Sequence, residues 1–95
     1  MKRNYYELSA RFDARKSFYG KALVSVEPNG DKALISYGHE VVRIRNGNVA
    51  LTTSWDASDT TLRHVKEFLK QEGVSIGSYS KKEIAEFFKD KIEEE

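Results

Sequence analysis

Cysteine is absent from the chain, which excludes disulfides and thiolate metal sites and fits a reducing intracellular setting. Long apolar runs are missing too: no stretch approaches the roughly 20 residues that a membrane-spanning helix needs. Residues 1–20 carry Arg and Lys without the apolar core of a secretory signal. The expectation is a cytoplasmic protein with no membrane contact. No H-E-x-x-H, G-x-S-x-G or glycine-rich phosphate loop occurs. Histidine is scarce, with only His39 in a turn and His64 on the polar side of a helix. Pairing His64 with Glu67 or Asp59 would give an acid–base couple, but an exposed helix histidine is the plainer reading. The separation of His39 from His64 matches no metal-ligand pattern. The expected protein is therefore not an enzyme and carries no cofactor or metal.

Repeats, low-complexity tracts and Pro- or Ser-rich linkers are also lacking. Ninety-five residues, 39% hydrophobic and 33% charged, suit one soluble domain with a modest core over residues 1–95. The net charge of +1 hides an uneven distribution. Lys2, Arg3, Arg11, Arg15, Lys16 and Lys21 crowd the first quarter, and Glu83, Glu86, Asp90, Glu93, Glu94 and Glu95 the last stretch. Ends of opposite sign steer charged partners over distances of about 8–10 Å at physiological salt. A solvated surface is the plainer account.

The centre reads as β structure. Lys21–Glu27 alternates, with Ala22, Val24 and Val26 on one face, and Pro28-Asn29-Gly30-Asp31 is a turn. Lys32–Tyr37 groups Ala33, Ile35 and Tyr37, and Gly38-His39 makes a second turn. Glu40–Arg45 directs Val42 and Ile44 inward and Val41, Arg43 and Arg45 outward. Asn46-Gly47 favours a type I′ hairpin into Asn48–Trp55, where Val49, Leu51, Thr53 and Trp55 share a face. Trp55 reads as a core residue. Four strands joined by tight turns predict an antiparallel meander with one apolar face.

Two helices follow. Leu62, Val65, Phe68 and Leu69 form an apolar stripe over Asp59–Gln71, with Ser58 or Asp56 as cap and Gly73 at the C-terminal stop. Its other side carries Thr60, Arg63, His64 and Lys66. Ser80-Lys81-Lys82-Glu83 is a capping box opening a second helix with Ile84, Phe87, Phe88 and Ile92 on one face; Lys89–Glu95 is its fraying end. In the N-terminal part, Tyr5, Leu8 and Phe12 suit a short helix or an irregular segment. The predicted fold is α+β: a four-stranded antiparallel sheet with two C-terminal helices packed on one face.

Two binding readings remain. Arg11, Arg15, Lys16, Lys21, Arg43 and Arg45 interleave with Phe12, Phe18, Tyr19 and Tyr37, the mixture that neutralises phosphates and stacks on unpaired bases. Arg63, Lys66 and Lys70 extend that surface along the first helix. Tyr, Trp and Arg also dominate the energetics of protein interfaces. Against both stands the simple alternative of core aromatics and solvating charges.

Three segments narrow the field: Asp13–Ala22 (DARKSFYGKA), Ser36-Tyr37-Gly38, and Ser58–Gln71 (SDTTLRHVKEFLKQ). With them the sequence resembles a family of small proteins carried by phages and conjugative plasmids of Gram-positive bacteria, over roughly residues 5–73. Small accessory proteins of such elements include anti-CRISPR proteins that inhibit the type II RNA-guided effector nuclease. The resemblance thus implies a mobile-element protein of a bacterial cytoplasm that binds the type II effector or its guide RNA and blocks DNA targeting. A chain near neutral is poorly suited to mimicking DNA charge, so a domain surface, a conformational step or the guide RNA is the expected target. A nucleic-acid-binding accessory protein is the alternative. The candidate contact residues are Arg11, Arg15, Lys16, Tyr19, Arg43, Arg45, Arg63, His64 and Lys66.

Overall fold

A computed structural model describes residues 4–13 and 18–95. Six strands and two helices follow in order: β1 Asn4–Glu7, β2 Ala22–Val26, β3 Lys32–Ser36, β4 His39–Arg45, β5 Asn48–Thr52, α1 Asp59–Gln71, α2 Lys81–Phe87 and β6 Ile92–Glu93. They form one sheet in the order β1-β2-β3-β4-β5-β6. All neighbours are antiparallel except β5 and β6, which run parallel. The α+β class holds, and the sheet has two more strands than the four expected.

Both additions have a physical cause. Tyr5 and Tyr6 suit a pleated strand better than a helix, and β2 presents them an edge in the register Tyr5↔Ser25 and Tyr6↔Val24. The predicted N-terminal helix is therefore replaced by β1. At the other end, α2 stops at Phe87 and does not run on through Ile92. The amides of Leu51 and Thr53 on the β5 edge donate to the carbonyls of Lys91 and Glu93, 2.9 Å each. The sequence from Lys89 onward is thus no fraying helix end; it supplies acceptors to an edge that would otherwise face water. Phe87, expected on the apolar face, is 52% exposed.

The sheet's inner face carries Ala22, Val24, Leu34, Val42 and Leu51, against which Val65, Phe68 and Leu69 of α1 and Ile84 and Phe88 of α2 pack in one core. Leu8, Phe18, Trp55 and Ile76 complete it. Leu34 and Ser36 face the helices, so Ala33 and Ile35 mark the opposite side of β3, while Tyr37, grouped with them in the sequence, lies in the turn beyond the strand and its ring meets His64 of α1. A bulge explains a second departure. Leu34 pairs with Val42 but Ile35 pairs with Glu40, which leaves Val41 as an extra residue. The local bend turns Val41 inward with Val42, and both are buried rather than one facing out.

Helix α1 has the predicted bounds. Ser58 Oγ accepts the Thr61 amide at its start. At its end Gly73 (φ 77°) allows a left-handed turn in which the Gly73 amide reaches Lys70 O and the Val74 amide reaches Leu69 O. Among the described residues no helix is long and apolar enough to cross a membrane.

Candidate functional site

Two tight turns bring aromatic side chains to the N-terminal half of α1. Tyr19-Gly20 and Tyr37-Gly38 each place two consecutive residues at positive φ (52° and 74°, 51° and 85°), the pattern of a type I′ turn. The Lys21 amide closes the first turn on Phe18 O at 3.0 Å, and the Tyr37 amide ties the second to Lys21 O at 2.9 Å. The Gly20 amide donates to Glu7 Oε1 at 2.8 Å. Between the turns and α1 lies a half-open recess of about 190 Å³. Tyr19 and Tyr37, 76% and 50% exposed, stand on its rim. Lys21, Thr60 and Arg63 add polar groups, and Phe18 and His64 make its floor.

His64 departs from expectation. It is wholly buried, not exposed on the polar side of the helix. Its Nδ1 shares a 2.8 Å hydrogen bond with Ser36 Oγ, and Ser36 Oγ bonds Thr61 Oγ1 at 3.2 Å. Phe18 meets the imidazole edge-on at 4.7 Å between centroids, and Tyr37 lies tilted over it at 5.7 Å. The imidazole is thus a structural ring between two aromatics. Its Ser36 neighbour is buried as well.

Arg63 is held by Asp13, Nε to Oδ2 at 3.1 Å and Nη2 to Oδ1 at 2.9 Å. That fork–fork pair fixes the guanidinium plane. One turn further on, buried Glu67 accepts the Phe12 amide at 2.7 Å and the Gln71 side chain at 2.6 Å, while Gln71 also donates to Ser9 O. These bonds lay residues 9–13 along α1. They also set exposed Phe12 beside Lys66 and Lys70 in a second, smaller recess that shares Arg63 with the first. Lys70 Nζ lies 5.1 Å above the Tyr79 ring, within range of a cation–π contact.

The expected site residues divide accordingly. Tyr19, Arg63 and Lys66 come together along α1, with His64 beneath them. Arg11 is exposed on the segment that Glu67 and Gln71 hold. Arg15 and Lys16 lie outside the described residues. Arg43 and Arg45 do not join the patch. Arg43 bonds Glu40 at 2.8 Å, Glu93 at 3.1 Å and Glu94 O, and Arg45 reaches Glu93 at 3.4 Å. The hydrogen bond that Arg43 donates to Glu40, reinforced by the one to Glu93, raises the Arg43 pKa above its ordinary value. These arginines pair with the acidic C-terminal segment and fasten β6. Tyr37, Phe12 and Lys21, which the sequence groups with the basic and aromatic surface but not among the candidate contact residues, line the two recesses. The repeated Tyr-Gly dipeptide was the available signal, since glycine after tyrosine marks a turn that lifts the ring outward.

Among the described residues no group of His, Cys, Asp or Glu could hold a metal ion. A recess this size falls below the roughly 300–1,000 Å³ of sites that enclose a whole cofactor or drug-sized molecule. Fold and site together define a small α+β domain with an aromatic and basic strip along one helix. The chain belongs to a family of unknown function, DUF8033, whose pattern matches residues 6–86. No curated protein and no solved structure matches it.

Proposed function

We propose that this protein acts by binding, without catalysis, and that its partner is a single-stranded nucleic acid lying along α1. The observation that carries the reading is the strip itself. Tyr37 and Tyr19, Arg63, Phe12 with Lys66, and Lys70 with Tyr79 follow one another along one side of the helix. Thr60, Arg63, Lys66 and Lys70 recur at helical spacing, over a length of about 15 Å at 1.5 Å per residue. Exposed rings offer stacking platforms and lysines offer phosphate contacts, the combination suited to unpaired strands.

The resemblance noted in the sequence supports a narrower form of this reading. Its three segments, Asp13–Ala22, Ser36-Tyr37-Gly38 and Ser58–Gln71, supply the residues that border the recess. As an anti-CRISPR protein of a phage or conjugative plasmid, the chain would bind an unpaired part of the guide RNA of a type II effector in the bacterial cytoplasm and so block DNA targeting.

The test is a salt series with single-stranded and duplex RNA. Phosphate contacts from Lys21, Lys66 and Lys70 give an expected slope of log K against log salt near −2, at about −0.7 per contact. Lys66→Glu with Lys70→Glu lowers both affinity and slope. Absence of binding at low salt, or binding indifferent to salt, overturns the proposal. The narrower reading is tested by adding the protein to guide-loaded effector before target DNA: cleavage falls, and the Lys66→Glu, Lys70→Glu variant restores it. Undiminished cleavage at saturating protein removes the anti-CRISPR role and leaves nucleic-acid binding standing.

A further inference from the structure

We infer that the recess between Tyr19 and Tyr37 receives one unpaired nucleobase, stacked on the outer side of the Tyr37 ring, with its adjoining phosphate at Lys21 and Arg63. The inference rests on the proposed binding of a single strand and specifies where that strand is gripped.

Three independent observations converge on it. First, both tyrosines occupy left-handed backbone, φ 52° and 51°, which costs an L-residue with a large side chain energy that Asn or Gly would largely avoid. A strained position filled by an exposed ring points to a role for the ring. Second, Tyr37 is already oriented. Its ring lies tilted against the buried His64 imidazole, which Phe18 meets edge-on and Ser36 holds through Nδ1. A partner meets a platform whose ordering cost is already met, the arrangement that gives affinity through preorganisation. Third, the volume of about 190 Å³ suits a single planar ring better than a whole cofactor. The charges beside it are Lys21 and an Arg63 whose plane Asp13 holds. An acidic peptide would find the same cations, yet it gains little from two tyrosine rings beside a slot. A base linked to a phosphate uses both.

The experiment uses the full chain and a ten-nucleotide RNA with a central 2-aminopurine, whose fluorescence falls when it stacks. The wild type is expected to bind the single strand with quenching and to bind its duplex much more weakly. Tyr37→Phe keeps affinity and quenching. Tyr37→Asn and Tyr19→Asn each weaken binding by about five- to a hundredfold, the range for one base–aromatic stack, and Tyr37→Asn abolishes the quench. Asn accepts the left-handed conformation, so these variants fold, and circular dichroism verifies that they do. If the wild type binds the strand without quenching, or Tyr37→Asn binds as tightly as wild type, the inference is overturned while the proposed function survives. Equal affinity for the duplex also overturns it, because a paired base cannot enter. If the wild type binds neither strand nor duplex, both fall together.

Discussion

The imidazole of His64 lies 5.7 Å from the ring of Tyr37, centroid to centroid, with 31° between their planes. A buried residue thereby sets the stance of an exposed one. Replacing His64 with Ala removes the ring between Phe18 and Tyr37 and leaves Ser36 Oγ without its imidazole partner. The expected cost is about 2–4 kcal/mol, that of truncating a large buried side chain, measured by urea denaturation. Tyr37 ring resonances should also move toward exposed values, and an unshifted Tyr37 would show that the stack does not hold it.

Tyr19 predicts the opposite sign. Three-quarters of it is exposed, so truncation loses little packing, whereas its φ of 52° suits Asn better than Tyr. Tyr19→Asn should therefore raise stability by about 0.5–1 kcal/mol while weakening strand binding. A variant that is less stable than the wild type would indicate that the ring makes contacts worth more than the strain.

Glu67 is buried, and its carboxylate accepts the Phe12 amide at 2.7 Å. Glu67→Ala should detach residues 9–13 from α1. Hydrogen bonds to a charged group are worth about 1.5–3 kcal/mol, and a loss within that range is expected. Amide exchange gives the specific reading: Phe12 loses protection, whereas Val24 in the centre of the sheet keeps its own.

The start of α2 should respond to acid. Glu83 accepts the Ser78 amide at 2.9 Å, which lowers its pKa below the ordinary 4.5. A depressed carboxylate stabilises the fold above its unfolded pKa and loses that contribution as pH falls through the lower folded value. Fraying of α2 should thus begin below about pH 4.5 and be followed by the Glu83 side-chain carbon resonance. Glu83→Gln should flatten that dependence, and a Glu83 midpoint at or above 4.5 would contradict the contact.

Periodicity carried the parts of this fold where neighbours in sequence decide the outcome. The hairpins around Gly30, Gly38 and Gly47, and the caps of α1 at Ser58 and Gly73, follow from turn chemistry that acts over a few residues. His64 was misplaced because a helical stripe was read from apolar types alone. Thr61, His64, Val65, Phe68 and Leu69 recur at i, i+3, i+4, i+7 and i+8, and all five are buried. The polar pair goes inward because Ser36 of β3 offers a partner, a fact that belongs to tertiary structure. The ion pairs of Arg43 and Arg45 are illegible for the same reason: nothing local announces that Glu93 will fold back beside them. The strands β1 and β6 escaped notice because each is short and owes its form to an edge supplied by another part of the chain.

That last strand has a kinetic consequence. Neighbouring hairpins close short loops, whereas β6 reaches β5 only after both helices have been laid down, a closure with a larger entropic cost. Contacts made after the rate-limiting step leave refolding speed unchanged and govern how fast the native state opens. Arg43→Ala, which cuts the ties to Glu93 and Glu94, should therefore shift the unfolding arm of a stopped-flow chevron upward and leave the refolding arm in place. A slowed refolding arm would instead put β6 in the nucleus. On that outcome the C-terminal strand, two residues long, would act chiefly to delay the moment at which the sheet comes apart.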